Sequence, residues 1–468
     1  MKILALSPQP PYPPMQGTTL RNFYLLRELG RRHEVSLLTF VQAELPITSA
    51  PPRSRHEAAS WAANARITSA APRETVNRPA GEVLGADSPL HTFCRAIRTV
   101  PAPPRRGLAQ RALTSLASPL PDMALRLPSA AFAAALRAWL AAEDFDIIQV
   151  EGIELAAYGL QAHQAGTRSK LEAMSRRAGL SPSPASPRLV FDDHNAEYVL
   201  QRSAFQSDAR RPARWHAALY SFVQWQKLAR YERDVLRAYD AVAAVSQTDA
   251  RALQQIAPSV TIHVVPNGVD TEEFVPRAAV VDGAAAKSHT TAEEQSADLV
   301  FTGKMDYRPN VDAVLWFAAE ILPRVRAQVP AARFVIVGQQ PHPRLTPLAA
   351  LAGVRLTGWV EDVKPYIAGA AVYVAPLRMG GGTRLKVLQA MSMAKPIVST
   401  TLGCDGLSVQ NGREALLGDT PDAFAAAVVR LLRDPALGRQ LGARARALAI
   451  AQYDWRRIGP LMEACYAP

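Results

Sequence analysis

The sequence predicts an α/β protein with two doubly wound, Rossmann-like domains that face each other across a crevice. The chain has 468 residues, too long for one ordinary hydrophobic core. In both halves, short apolar runs alternate with segments of helical periodicity, which indicates parallel sheets covered by helices. Residues 278–297 are polar and lack an apolar period, so we interpret them as a linker lengthened by an insertion.

The first domain is assigned to residues 1–277. Its first strand is the apolar run KILALS at Lys2–Ser7, which ends in a loop rich in Pro and Gly. A helix is predicted over Thr18–Leu29 and a second strand over Glu34–Phe40. Ligands of doubly wound sheets bind beyond the carboxyl ends of the strands, so the loop around Gly17 is expected to face the crevice.

Two segments of this domain are interpreted as insertions, residues 42–122 and 166–187, because both are rich in Ala, Pro, Ser and Arg. Outside them the α/β pattern continues. The runs FDIIQVE, RLVFDD, AVAAVS and IHVVP predict strands, and Tyr198–Tyr239 predicts one long helical stretch.

The second domain is assigned to residues 298–450. Six runs predict its strands: DLVFTG, ARFVIVG, VRLTGWV, AVYVAPL, PIVST and ALLGD. Residues 451–468 predict a C-terminal helix that packs back on the first domain.

The bulk composition limits the functional classes. The net charge of +12 indicates an anionic partner or reflects composition alone, and its scattered basic residues do not predict nucleic-acid binding. Three widely spaced cysteines predict neither a disulfide framework nor a zinc site and fit a reducing cytoplasm. The first apolar run is too short for a secretory signal, and no run reaches the roughly 20 residues of a membrane span.

The densest candidate site is the stretch APLRMGGGTRLK, where a strand runs into three glycines and a helix. Thr383 is placed to cap a helix that begins near Arg384, and this N-terminus with Arg384 and Lys386 would attract phosphates. Gly303 and Lys304 close the first strand of the same domain. Two basic strand ends at one edge predict a diphosphate site; the alternative is a tight turn followed by a solvated basic helix.

The C-terminal half resembles glycosyltransferase family 4, the retaining group 1 transferases of GT-B fold. The segments that carry the resemblance are VVPNGVDTEEF, FTGKMDYRPNVDAVLWF, ARFVIVG, VRLTGWVEDV, the Gly-rich stretch and KPIVSTTLGCDGL with REALL. The N-terminal half matches more loosely, through the Gly17 loop, DDHNAE and AVSQTDA. The LRxGGGTRLK variant resembles bacterial transferases of exopolysaccharide and lipid-linked glycan assembly.

The resemblance implies roles for particular residues. The phosphate-binding basic residues of the family fall on Lys304 and on Arg384 or Lys386. The donor-binding positions it implies are Gly303, Lys304, Trp359, Val360, Gly381, Gly382, Thr383, Arg384, Lys386 and Gln389, with the nucleobase contact at Trp359 and Val360. The paired glutamates of the family, spaced E-x7-E, fall on Gly381 and Gln389, so both carboxylates are missing. Glutamine still forms hydrogen bonds to ribose hydroxyls, but without charge.

The resemblance also implies an activity. The expected enzyme is of hexosyltransferase type and moves a sugar from a nucleotide-sugar donor to a glycan or lipid-linked acceptor, with retention, in cell-surface polysaccharide synthesis. His194, Lys304 and Arg384 are the expected catalytic residues, and the loop of Gln16, Gly17 and Thr18 lies on the acceptor side. From the residues alone, the favoured interpretation of His194 is a turn histidine that caps the following helix. The nucleotide sugar is a substrate, and neither a cofactor nor a metal is expected.

Other interpretations remain open. The altered positions Gly381 and Gln389 also fit a catalytically weakened, donor-binding partner of a glycan-assembly complex. A GT-B-type nucleotide-sugar epimerase would need acid and base carboxylates that the Gly-rich stretch lacks. Aromatic residues among arginines around 210–237 fit either core packing or peripheral contact with an anionic membrane, at the inner face of the plasma membrane.

Overall fold

The computed structural model describes residues 1–14, 16–41, 88–163, 186–210, 212–276, 297–380 and 384–467. Its close contacts define two compact units, Met1–Asp192 with Arg230–Asp240, and Asp193–Ala229 with Ala241–Pro468. This division differs from the predicted boundaries at 277 and 298, which stay a prediction. The predicted insertion 166–187 and the linker 278–297 lie almost wholly outside the described residues.

The first sheet has seven strands in the order β3-β2-β1-β4-β5-β6-β7. The pairings of β1 with β2 and β4, of β2 with β3, of β4 with β5 and of β6 with β7 are all parallel. Apolar runs that are buried on both faces are typical of such sheets. The bounds are β1 Lys2–Ser7, β2 Glu34–Val41, β3 Cys94–Pro101, β4 Ile147–Glu151, β5 Arg188–Asp193, β6 Ala241–Ala244 and β7 Ile262–Val264.

Strand β3 lies inside the segment interpreted as an insertion. It pairs with β2, so that Leu37 is in register with Ile97 and Thr39 with Thr99. Several of its side chains are exposed, as is normal at the edge of a sheet. The described end of the 42–122 segment therefore contributes a strand to the sheet, and residues 42–87 lie outside the described part of the chain.

Among the described residues, six helices precede the second sheet: α1 Gly17–Gly30, α2 Leu108–Ala117, α3 Ala130–Ala142, α4 Glu197–Ala209, α5 Trp215–Ala238 and α6 Gln247–Ile256. The prediction of a single helical stretch over Tyr198–Tyr239 is wrong in one respect. The structure has two helices there, separated by a short 3-10 turn at Pro212–Arg214. Proline lacks a backbone N–H and disfavours helical geometry in the residue before it, so the chain starts a new helix at Trp215.

The second sheet has six strands in the order β10-β9-β8-β11-β12-β13. All six occur where the sequence predicts them: β8 Asp298–Thr302, β9 Arg333–Val337, β10 Val354–Gly358, β11 Val372–Ala375, β12 Ile397–Ser399 and β13 Leu416–Leu417. The helices are α7 Arg308–Trp316, α8 Leu322–Arg326, α9 Lys364–Gly369, α10 Leu385–Ser392, α11 Pro421–Arg433, α12 Pro435–Leu448 and α13 Trp455–Glu463. One face of the sheet is covered by a core in which Phe317 packs against Phe334 and Phe424.

The C-terminal segment is anchored within the second unit. Trp455 is fully buried, and its indole packs against Gly268, where an added Cβ would lie 2.7 Å from the ring. A bridge joins Val269 to Asp454, and the Asp454 carboxylate accepts a hydrogen bond from the Thr271 hydroxyl. The C-terminal segment is therefore held by contacts with Gly268, Val269 and Thr271, which lie far earlier in the chain.

Candidate functional site

The carboxyl end of β8 approaches the N-terminal turn of α10. Gly303 follows β8 directly, and a Cβ added there would lie 2.7 Å from Lys386 Nζ and 2.8 Å from Asn310 Nδ2. Such distances are shorter than carbon and nitrogen contacts allow, so any larger residue at this position would displace the end of the Lys386 or Asn310 side chain. The structure thus brings together two predicted site residues, Gly303 and Lys386, that are far apart in sequence.

The Lys386 side chain is partly buried at this junction. Its Nζ donates a hydrogen bond to Asn310 Oδ1 at 2.6 Å and lies 4.1 Å from the centroid of the Phe301 ring. Burial, and then the neighbouring charge of Arg384, lower the pKa of the Lys386 amine to about 7. The amine is therefore close to half-charged at neutral pH and would gain from an anionic ligand.

The backbone of Lys304 also takes part in the junction between the end of β8 and α10. Its carbonyl oxygen accepts a hydrogen bond from Asn310 Nδ2 at 2.8 Å. Its side chain is 38% exposed, and its ammonium group forms an ion pair with Asp306 at 3.3 Å. An exposed pair of this kind contributes little to stability, so the lysine can exchange partners at low cost.

Arg384 differs from the solvated basic residue that the alternative interpretation requires. It occupies the position before the first residue of α10 and is only 7% exposed. Its guanidinium donates to the carbonyl oxygens of Gly380, at 2.6 Å, and Leu402, at 3.4 Å. Burial lowers its pKa, while the charges of Asp405 and Asp249 oppose that shift. Arg384 therefore ties two loops together while placing a buried positive charge near the helix N-terminus.

The remaining residues of the Gly-rich stretch are placed only in part. Gly381, Gly382 and Thr383 lie outside the described residues, so the predicted cap at Thr383 stays a prediction. Gly380 has a positive φ of 100°, which glycine adopts readily. Gln389 lies on α10 and is partly buried, one turn further along the helix than Lys386.

Trp359 follows β10, whose last residue, Gly358, has a positive φ of 71°. The strands of this sheet are parallel, so the ends of β8 and β10 lie at the same edge, with β9 between them. Half of the Trp359 side chain is exposed, whereas Val360 packs against the core. An exposed indole at a strand end offers a face for stacking.

The predicted site residues of the N-terminal half lie directly after β5 and at the start of α1. His194 lies in the bend after β5 and is partly buried. Gln16 precedes α1, and its backbone N–H donates to Thr19 Oγ1 at 3.0 Å, while Gly17 and Thr18 are the first residues of the helix. The facing of these residues toward a crevice stays a prediction.

Asn310 is the site residue that sequence reasoning missed. It lies in the first turn of α7, is 5% exposed, and contacts both lysines of the candidate site. Its position in the segment YRPNVDAV carries the available signal, a polar residue that interrupts an apolar helix face beside a strand end.

Two family models match the chain. The model described as Glycosyl transferases group 1 matches residues 296–434, and the model described as Glycosyltransferase Family 4 matches residues 91–273. Together they span more than half of the chain, and each corresponds to one of the two predicted domains.

Curated relatives match over shorter stretches. A GDP-mannose-dependent alpha-(1-6)-phosphatidylinositol monomannoside mannosyltransferase of Mycobacterium tuberculosis is 29% identical over 253 residues, which are 50% of this chain and 64% of that protein. A phosphatidyl-myo-inositol mannosyltransferase of Propionibacterium freudenreichii is 31% identical over 176 residues, 36% of this chain and 42% of that protein. The chain thus matches less than two thirds of the length of either relative.

Solved structures are similar over the whole chain. Sucrose-phosphate synthase from Thermosynechococcus elongatus has a TM-score of 0.61 at 17% identity, covering 100% of this chain and 98% of that chain. Anabaena HepE, solved in complex with UDP, has a TM-score of 0.58 at 15% identity and 99% coverage of both chains. These neighbours confirm the predicted α/β fold class of GT-B type. The two family models show that the chain belongs to the group 1 glycosyltransferases of family 4.

Proposed function

We propose that this chain is a hexosyltransferase that moves a sugar from a nucleoside-diphosphate donor to a glycan or lipid-linked acceptor, in the synthesis of cell-surface polysaccharide. The observation that carries the proposal is the Lys386 amine, held beside Gly303 at the N-terminal turn of α10. Helix N-termini and lysines both bind phosphates, and here they coincide.

The relatives support the choice of substrates. The mycobacterial relative is described as GDP-mannose-dependent and as acting on a phosphatidylinositol mannoside, and HepE was solved with UDP. A nucleoside diphosphate is common to both, which favours a nucleotide-sugar donor for this chain. A lipid-linked acceptor follows from the first relative alone.

The proposed reaction retains the anomeric configuration. The bond from the anomeric carbon to the donor phosphate breaks, the acceptor hydroxyl oxygen bonds to the same face of that carbon, and its proton passes to the leaving diphosphate. Lys304, Arg384 and Lys386 would stabilise the charge that develops on the diphosphate. His194 would contact the transferred sugar from the end of β5. The nucleotide sugar is a substrate, and the scheme requires no further cofactor.

A panel of nucleotide sugars tests this function. Wild-type protein is expected to bind one donor and release its nucleotide slowly, and Lys304→Ala, Arg384→Ala and Lys386→Ala are each expected to weaken binding. Lys395→Ala is the matched control, because the Lys395 ammonium donates to the Ala368 carbonyl oxygen at 2.8 Å and takes no part in the contacts among Gly303, Asn310 and Lys386. Product NMR with an added acceptor reports the anomeric configuration, and an inverted product contradicts retention.

A second function remains because Gln389 occupies the position of a family glutamate. If wild-type protein binds a donor tightly but neither hydrolyses nor transfers it, even with lipid-linked acceptors, the chain is a donor-binding partner in glycan assembly. Binding of no donor at all contradicts both functions and leaves the Gly-rich stretch as a turn.

We further propose peripheral contact with an anionic membrane through the start of α5. Trp215 is 68% exposed, and Leu219 and Phe222 on the same helix face are also exposed, whereas Trp225 stacks on Phe205. Arg214 directly precedes Trp215 in the chain and pairs with Asp208 at 3.2 Å, and an apolar stripe next to a basic residue fits a lipid interface. None of the described helices has both the length and the apolar composition of a membrane span.

Vesicle flotation tests this contact with phosphatidylcholine alone and with added phosphatidylglycerol. Wild-type protein is expected to float with the anionic vesicles, and a Trp215→Ser, Leu219→Ser variant is expected to float less. Leu351→Ser, at another exposed leucine, serves as the control. Equal flotation of wild type with both vesicle types removes the proposal.

A further inference from the structure

The Asn310 side chain is buried and forms hydrogen bonds outside its own helix, which the start of a helix does not require. It lies in the first turn of α7, where Pro309 precedes it, and its side chain turns away from solvent to the end of β8. Its amide uses both ends: Nδ2 donates to the Lys304 carbonyl oxygen at 2.8 Å, and Oδ1 accepts from Lys386 Nζ at 2.6 Å. One buried side chain thus joins the loop after β8 to the lysine of α10.

We propose that Asn310 is a positioning residue that holds the Lys386 ammonium at the phosphate-binding junction, in register with the Gly303–Lys304 turn. The inference rests on the proposed function, since it assigns to Lys386 a contact with the donor diphosphate. Asn310 itself acts through Lys386 and does not touch the donor.

The surroundings of Lys386 show why such a residue is needed. A lysine side chain has a flexible stem of four carbons, and ordering it costs about 2 kcal/mol of conformational entropy. Gly303 leaves room on one side of the amine, and the Phe301 ring closes another. Among the described residues, Asn310 is the hydrogen-bond acceptor for the amine. An ammonium group has three donors, so a lysine fixed by one bond keeps two for phosphate oxygens.

A double-mutant cycle tests the inference, with UDP and GDP as probes and isothermal titration calorimetry as the measurement. For the nucleotide that wild type binds, Asn310→Ala and Lys386→Ala are each expected to weaken binding roughly tenfold, the usual cost of losing a hydrogen bond to a charged group. The double variant is expected to bind no more weakly than Lys386→Ala, because Asn310 has nothing left to position. If the two losses multiply, Asn310 acts independently of Lys386 and the inference is wrong.

One further variant and two controls guard against a folding defect at Asn310. Gly303→Ala retains the Asn310 side chain but crowds both its amide and the Lys386 amine. It is expected to weaken nucleotide binding when introduced alone and to have little further effect in Lys386→Ala. Gly369→Ala is its control, because nothing lies within 4 Å of a Cβ added there. Asn411→Ala is the control for the amide, since Asn411 accepts from the Leu417 backbone N–H at 2.9 Å outside the site.

The outcomes separate this inference from the proposed function. A wild-type protein that binds neither UDP nor GDP overturns both. A wild-type protein that binds one of them, with normal affinity in Lys386→Ala or in Gly303→Ala, overturns only the positioning role. Weakened binding in Asn310→Ala, Lys386→Ala and Gly303→Ala without multiplication, at unchanged melting temperature in these variants and with normal binding in the controls, supports it.

Discussion

The ammonium nitrogen of Lys386 lies 4.1 Å from the centroid of the Phe301 ring, the penultimate residue of β8. An aromatic face favours the charged amine, but it removes water at the same time. Desolvation outweighs this attraction, and the pKa of Lys386 falls to about 7. The Phe301 ring is fully buried, so its position beside the Lys386 amine is fixed by the packing of the core.

Binding of a nucleoside diphosphate is therefore expected to take up a proton. In the free protein the Lys386 pKa is about 7, and a bound diphosphate raises it, so at about pH 8 a neutral amine becomes charged on binding. Near pH 6 the amine is already protonated and the uptake should fade. Calorimetry in buffers of different ionisation enthalpy measures it, and Lys386→Met should remove it. Uptake that persists in this variant assigns the proton to another group.

Removal of the exposed indole at the end of β10 is expected to weaken nucleotide binding without weakening binding of inorganic pyrophosphate. A base stacked on an aromatic ring contributes about 1–3 kcal/mol, so Trp359→Ala should lower affinity for the preferred nucleotide by roughly tenfold or more. Leu351→Ala is a control at a similarly exposed residue. An equal loss for nucleotide and pyrophosphate would place the effect in the fold of the site.

Restoring a carboxylate on α10 is expected to strengthen contact with the ribose. Hydrogen bonds to a charged acceptor are about twice as strong as neutral ones, so Gln389→Glu should improve binding several-fold for a ribonucleoside diphosphate. The 2′,3′-dideoxy analogue lacks the hydroxyls and should show no gain. If the variant binds both nucleotides equally well or equally poorly, Gln389 does not face the ribose.

The buried ion pair of the first unit is expected to dominate local stability. Arg21 donates to both carboxylate oxygens of Asp192, at 2.8 and 2.7 Å, and the two side chains are 1% and 0% exposed. Arg21→Met leaves a buried carboxylate without this partner and should cost about 3–5 kcal/mol of unfolding free energy. Urea denaturation measures the change.

The surface pair of Arg324 with Asp422 is the matched comparison. Both side chains are exposed, and their distance is 2.6 Å, similar to that of the buried pair. Arg324→Met should cost less than about 1 kcal/mol because water screens the interaction. Equal costs in the two variants would show that burial does not set the strength of the Arg21 contact.

Most strands were predictable from the sequence because their apolar runs are buried and bounded by polar or glycine residues. Lys2–Ser7 and the six strands of the second sheet occur where their runs predict them. Strand β3 was missed because its arginines face solvent at a sheet edge, and such a strand lacks a continuous apolar run. The break before Trp215 was missed although Pro212 marks it.

The site was predictable only at the level of strand ends and basic residues. Gly303 and Lys386 were expected at one edge, and the structure brings them within contact distance. Asn310 was not expected, because a single asparagine in a first helical turn has the same sequence signature as an ordinary helix start. The burial of Arg384 was equally hidden, since it depends on the carbonyl oxygens of Gly380 and Leu402, which only the folded chain brings to it.

The hydrogen bond between Thr271 and Asp454 joins residues that are 183 positions apart. During synthesis the ribosome releases Thr271 long before Asp454 exists, so this contact must form late. Before Trp455 is synthesised, Gly268 lacks the indole that packs against it in the folded protein. Nascent chains stalled before Trp455 should therefore expose this surface to chaperones and proteases. Protection of the surface would show that translation has continued past Trp455 and that the C-terminal segment has packed.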